Sequence, residues 1–344
     1  HDLWGGTLPT ATDLDRVTAG RPALLHRKDG HSAWANSAAL ALAGITRDTP
    51  DPAGGRVHRR RDGAPTGILA EHAVGLVGDR VPAPTHDQQV RALHAATAEA
   101  HHLGVTSVHD MEPDSALQIC REEREAERLA LRVTMQLAVD AVDRAIEAGV
   151  KTGQGDDFLR IGALKIFSDG ALGSRTAAML APFDGEPGNM GVMVTDEPEL
   201  GRLAALAATN DISCAIHAIG DRANRTVLDV FERTRSLWQP RGLRQRIEHV
   251  QLLTDEDVPR LAGLGIIASM QPIHATQDIV AADRFWGERS RLAYAWRSVL
   301  DSGARLAFGS DCPVETMDPL LGLYAAATRR RADGTPHGGW YPEQ

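Results

Sequence analysis

Between residue 85 and residue 330, apolar runs of strand length alternate with amphipathic stretches of helix length. The spacing predicts helices over 86–103, 113–128, 141–148, 197–209, 222–235, 254–263, 291–302 and 319–330, with Gly104, Gly149 and Gly303 as stops. Seven apolar segments lie among them, at 105–110, 130–139, 158–168, 212–219, 245–251, 265–272 and 305–310. Strands alternating with helices at this interval predict a parallel α/β sheet, one strand short of a closed eight-stranded barrel. Two stretches, 169–194 and 273–290, read as long loops, the length at which a loop inside a compact domain tends to be functional or disordered.

The first 70 residues follow another pattern. A short strand over 21–28 leads through 29–37 into an Ala/Leu-rich helix stopped at Gly44. Hairpin signals follow at Gly54-Gly55 and Asp62-Gly63. This predicts a small α+β insertion over 21–70, set into a barrel made of 1–20 and 71–344. The arginine run 59–61 reads as a solvated hairpin tip.

Composition narrows the function classes. The 37 Lys+Arg against 46 Asp+Glu leave a net charge of −9, which argues against a general affinity for nucleic acid. Cys120, Cys214 and Cys312 are too scattered for a disulfide framework, which favours a reducing compartment such as the cytoplasm. No apolar run reaches the length of a membrane span. Neither a G-x-G-x-x-G after the first strand of the series nor a G-x-x-x-x-G-K-[ST] occurs, so a nucleotide-binding open sheet is disfavoured. A homodimer is compatible with all of this.

The polar residues that end the apolar strands carry the candidate chemistry. In such a barrel, reactive groups sit at the C-terminal ends of the strands. That rim holds His109-Asp110, Lys165 with Asp169, His217, His249, Gln271 with His274, and Asp311. Lys165 stands inside the apolar run Leu-Lys-Ile-Phe, where lost hydration favours its neutral amine. One such histidine is ordinarily a satisfied core residue. Two histidines, an aspartate and a lysine on strands of one barrel, in the order Lys–His–His–Asp, suit metal-assisted hydrolysis, because imidazoles and carboxylates bind zinc-like ions and a bound water is acidified. A neutral lysine amine can also add carbon dioxide and become a carbamate bridging two metals. The competing reading of Lys165 is an ion pair with Asp169 or Asp311.

Five stretches bear a resemblance to a known family. They are 27–37 (Arg-Lys-Asp-Gly-His-Ser-Ala-Trp-Ala-Asn-Ser), 164–177 (Leu-Lys-Ile-Phe-Ser-Asp-Gly-Ala-Leu-Gly-Ser-Arg-Thr-Ala), 216–223 (Ile-His-Ala-Ile-Gly-Asp-Arg-Ala), 246–251 (Arg-Ile-Glu-His-Val-Gln) and 308–314 (Phe-Gly-Ser-Asp-Cys-Pro-Val). Together they resemble the amidohydrolase superfamily, in the amidohydrolase-3 branch that includes N-substituted formamide deformylases. The resemblance implies a TIM-type (β/α)8 barrel with Lys165, His217, His249 and Asp311 as metal ligands on strands four, five, six and eight. It implies zinc or another divalent metal, two in the complete enzyme, with carbamylated Lys165 as the bridge. The implied reaction is hydrolysis of a non-peptide amide-type C–N bond of a small molecule by metal-activated hydroxide, with Asp311 as catalytic proton shuttle.

Arg175, Asp221, His274 and His31 are the substrate-side candidates, each with a structural hydrogen bond as the alternative. Trp34 either caps the pocket or packs within the insertion. Cys214 and Cys312 are expected to face the barrel wall as small hydrophobes. The family also carries a His-x-His pair on a first strand and a β-sandwich, and no His-x-His occurs in these 344 residues. The expectation is a barrel lacking its first strand in this chain, part of a longer enzyme and inactive by itself. Two other functions stay open: a mononuclear deaminase of the same superfamily, although Ala-Ile-Gly-Asp rather than a glutamate follows His217, and a non-catalytic ligand-binding barrel.

Overall fold

The computed structural model describes residues 8–27, 32–52, 55–112 and 114–344. The chain divides between Thr85 and His86 into two units.

The first unit is an antiparallel sheet of β1 (Leu24–His26), β2 (Ser32–Ala35), β3 (Gly55–Arg59) and β4 (Pro65–Glu71), in the order β1-β2-β4-β3. Its small core gathers Ala35, Leu40, Ile45, Val57 and Leu69 with Ala11 of the helix Ala11–Thr18. Sequence reasoning assigns that helix to the barrel; in the structure it belongs to the small unit, which extends on to Thr85. Gly67 is the reason. Its φ is +104°, and a Cβ there would lie 2.5 Å from the Ala35 carbonyl and 2.8 Å from the Ala11 nitrogen, so the bare backbone lets the helix start lie against the sheet. The strand β2 was missed because its four residues look like a helix approach. The hairpin around Asp62-Gly63 forms as predicted, with Arg60 N–H donating to the Ala64 carbonyl.

The second unit contains the seven predicted strands: β5 (Ser107–Asp110), β6 (Arg132–Leu137), β7 (Leu159–Phe167), β8 (Cys214–Ala218), β9 (Arg246–His249), β10 (Ile267–Met270) and β11 (Arg305–Phe308). They pair in sequence order and all in parallel. The sheet is strongly curled. Strands β5 and β9 are separated by three others, about 19 Å in a flat sheet, yet Arg246 Nη1 lies 2.6 Å from His109 Nδ1. The result is a half-barrel with β5 and β11 at its edges. Every residue of β8 is buried, whereas most of β11 is exposed. The core continues outward under the helices through Leu164, Ile166, Ile216, Ile247, Leu203 and Phe231. No helix of the described residues is long and apolar enough to cross a membrane.

One predicted loop is a helix. Residues 273–290 open with Pro272–Phe285, which starts on a proline suited to a first helical turn and buries Ile273, Thr276, Ile279 and Ala282 along one stripe. The histidine and turn-like residues masked that stripe in the sequence. The other long loop, 169–194, is folded onto the start of the helix Asp221–Arg233.

Candidate metal centre

Parallel register sets the first ligands. Phe167 pairs with His217, His217 with Glu248, and Glu248 with Ser269, so these four side chains form one row across β7 to β10. Lys165 lies two residues back on β7 and shares that face. His249 follows Glu248 with φ of +75°, which turns the chain at the strand end. The imidazole of His249 reaches the His217 ring, centroid to centroid 4.6 Å, edge to face.

The two histidines are anchored through opposite nitrogens. His217 Nε2 is 3.0 Å from the Gly170 carbonyl and 3.3 Å from Asp169 Oδ1, while its Nδ1 is buried with no hydrogen-bond partner. His249 Nδ1 is 2.8 Å from Gln271 Oε1, which leaves Nε2 as the atom it can offer. A proton engaged on one side of an imidazole leaves a lone pair on the other. His249, His274 and Asp311 bring one donor atom each within 4.8 Å of one another, and His274 Nε2 lies 3.7 Å from Asp311 Oδ2. Sequence reasoning places His274 on the substrate side; the helix at 272 brings it beside Asp311 and His249 instead.

Burial dominates the electrostatics. It pushes Lys165 down to about 8, against the pull of Glu248 and Asp311 that favours the ammonium. The Lys165 Nζ sits 4.4 Å from the centroid of the Phe167 ring. Burial also pushes His249 well below the usual imidazole range, helped by His217, Lys165 and His274, so it is neutral and able to ligate. Asp311 is raised by burial, with Lys165 and His217 opposing. A buried carboxylate, Glu248, was not anticipated as part of this site. Its Oε1 takes the guanidinium of Arg246 at 2.8 Å from Nε, and Arg246 in turn holds His109. Its signal was available, since Arg246 and Glu248 share the inward parity of one strand.

Asp169 staples the site to its loop. Fully buried, its carboxylate accepts Ile219 N–H at 3.0 Å, Gly220 N–H at 2.9 Å and Ala178 N–H at 2.9 Å. Gly220 permits this approach, because a Cβ there would lie 1.9 Å from the Ala178 carbonyl. Asp221 accepts from the Leu180 and Arg222 backbone, and Arg175 pairs with Glu186 at 2.6 Å and lies over the Phe285 ring. Those contacts fix the loop. His31 lies outside the described residues, and Trp34 donates to the Thr10 carbonyl within the small unit. Cys214 is wholly buried as expected, its thiol pushed up to about 12, but Cys312 is exposed. Asp311 takes φ of +57° and turns the chain off β11, so Cys312 rides on a loop rather than on the wall.

The donor set fits a divalent ion of the zinc type. Its atoms are imidazole nitrogens and carboxylate oxygens, and the orphaned Nδ1 of His217 is a buried acceptor that lacks a protein partner.

Known proteins resemble this chain over most of its length. The chain is 36% identical over 329 residues to the putative amidohydrolase YtcJ of Bacillus subtilis (strain 168), covering 93% of this chain and 61% of that protein. It is 30% identical over 347 residues to the N-substituted formamide deformylase of Arthrobacter pascens, covering 95% and 62%. The chain thus spans about three fifths of the length of these curated relatives. Among solved structures, an uncharacterized metal-dependent hydrolase from Pyrococcus horikoshii OT3 superposes with a TM-score of 0.78 at 30% identity, over 94% of this chain and 63% of that one. The model of the amidohydrolase family matches residues 3–343, end to end across both units and every rim residue described above. By sequence and by fold, the chain belongs to the amidohydrolase family.

Proposed function

We propose that this chain carries the metal-binding rim of a hydrolase that cleaves a non-peptide amide-type C–N bond, an N-substituted formamide or a related amide. The seven strands would be strands two to eight of a TIM-type barrel. One observation carries the reading: two neighbouring buried histidines anchored through opposite ring nitrogens, next to a cluster in which His249, His274 and Asp311 bring one donor atom each within 4.8 Å of one another. His217, His249 and Asp311 would hold the ion, with His274 and Lys165 completing its surroundings. A divalent ion there supplies Lewis-acid polarisation of the substrate carbonyl and a water acidic enough to be hydroxide near neutral pH.

The chain's own groups supply the remainder. Asp311, its carboxyl raised by burial, takes the proton of the attacking water and returns it to the departing nitrogen. His274 Nε2 lies 3.7 Å from Asp311 Oδ2, close enough for the two to face one ion. Lys165, at about 8, is neutral in about one molecule in ten at pH 7. That neutral amine would add carbon dioxide through a new N–C bond with release of one proton to solvent, and the resulting carbamate would offer oxygen donors to an ion. Half-exposed Phe167 offers an apolar wall to the substrate's substituent.

The test begins with zinc titrated into the metal-free chain and into His217→Ala. The supporting result is stoichiometric zinc in the first and at least tenfold weaker binding in the second. Hydrolysis of a panel of formamides and amides is then assayed in the protein as encoded, zinc-loaded. Zinc binding unaffected by His217→Ala, or a zinc-loaded protein that turns over none of the panel, would sink the reading.

A further inference from the structure

The two histidines of the centre are held by different means. A backbone carbonyl, that of Gly170, anchors His217 at 3.0 Å, and no side-chain substitution can remove it. His249 is anchored by a side chain, Gln271, whose Oε1 lies 2.8 Å from Nδ1. The orientation of that amide is determined by its other end. Gln271 Nε2 donates to the Ser269 carbonyl at 3.3 Å, and a flipped amide would set oxygen against oxygen there. With oxygen facing the ring, the proton must sit on Nδ1 of His249. Gln271 is buried and immediately precedes Pro272, so the helix that carries His274 also fixes its backbone.

We propose that Gln271 is a positioning residue that sets the tautomer of His249, so that this ring presents Nε2 to a divalent cation while His217 presents Nδ1. The cation half rests on the metal-centre reading above; the tautomer is a property of the chain alone. Free histidine favours the proton on Nε2. Without the Gln271 oxygen, His249 reverts to that form and turns an N–H, not a lone pair, toward the cation. His217 keeps its tautomer, because its anchor is main chain. The two rings therefore report separately, and His217 serves as the internal control.

The experiment uses the metal-free protein, 15N-labelled, at about pH 8, where an ordinary imidazole is neutral. Two-bond 1H–15N spectra should show Nδ1–H for His249 and Nε2–H for His217. In Gln271→Leu, His249 should move to Nε2–H with His217 unchanged, and affinity for zinc alone should fall about 10–100-fold. Gln271→Glu keeps an acceptor oxygen toward the ring and should retain the Nδ1–H signal, although its second oxygen faces the Ser269 carbonyl. Gln271→Met supplies the answer if the leucine variant does not fold. A folded Gln271→Leu or Gln271→Met protein with His249 still Nδ1–H overturns the proposal, as does zinc affinity unchanged despite a tautomer switch. Tautomers as stated in the wild type, switching at His249 in the Gln271 variants but with no zinc binding, would overturn the metal-centre reading and uphold the role of Gln271 in tautomer choice.

Discussion

Lys165 stores a measurable instability. Its amine falls from 10.5 in an open chain to about 8 in the fold, chiefly through burial, because Glu248 and Asp311 recover only part of the lost hydration. At 1.36 kcal/mol per pH unit, the ammonium form costs the folded state about 3 kcal/mol. The sign follows from proton counts. Between about 8 and 10.5 the unfolded chain binds the proton and the folded chain releases it, so stability rises with pH across that window and the full penalty applies below it. Lys165→Met removes the charge and keeps most of the stem, and its missing terminal atom costs about 1 kcal/mol in packing. The variant should therefore gain about 2 kcal/mol at pH 7 and lose that advantage by about pH 10.5. Urea unfolding of wild type and variant at several pH values measures the difference, and groups common to both cancel. An equal loss of stability in the variant at both ends of the range would show that the amine is not desolvated, and the argument for its reactivity would go with it. The expected gain comes with a loss of function, as for other groups held in an unfavourable environment by an active site.

Asp169→Asn keeps the shape of the staple but points an NH2 group at backbone N–H donors. It should cost about 3 kcal/mol in urea unfolding, with faster hydrogen exchange at Ala178, Ile219 and Gly220; a cost below about 1 kcal/mol with unchanged exchange would refute the assignment. Glu123 is buried and held down to about 2 by hydrogen bonds from Arg128 and then His94. Its contribution is present above the ordinary carboxylate range and lost as pH falls toward about 2. Glu123→Gln should thus lower stability by about 1–2 kcal/mol at pH 7, allowing for solvent around the two partners, and by much less at pH 2; a melting-temperature difference independent of pH would count against it.

The strand series and its rim were legible because both depend on local pattern. Apolar runs of the right length lead into His217, His249 and Asp311; parallel pairing places the first two on neighbouring strands and the third one strand further on, beyond β10. Lys165 stood out as a cation among Leu164, Ile166 and Phe167 for the same reason. What stayed hidden depends on groups distant in sequence. The choice of tautomer at His217 and His249 is made by Gly170 and Gln271, on the neighbouring loop and strand end. The helix Pro272–Phe285 buries its stripe against elements that periodicity cannot see, and His274 came into the site with it. Nothing in the local pattern marks Gly67, whose bare backbone lets the Ala11 backbone approach and so places the first helix in the small unit.

The curl of the half-barrel has a mechanical reading. A sheet with two edges has no ring of hydrogen bonds to hold its radius, yet the distance from Lys165 to Asp311 depends on that radius. The contact of His109 with Arg246 spans the concave side from β5 to β9 like a bowstring, and Glu248 holds the arginine at its end. Positions 109 and 246 are not among the proposed ligands; Arg246 lies in the same row as Lys165, so the tie acts at the level of the site itself. A shorter side chain at either position removes that tie and leaves the radius to the strand pairing and the helices behind it.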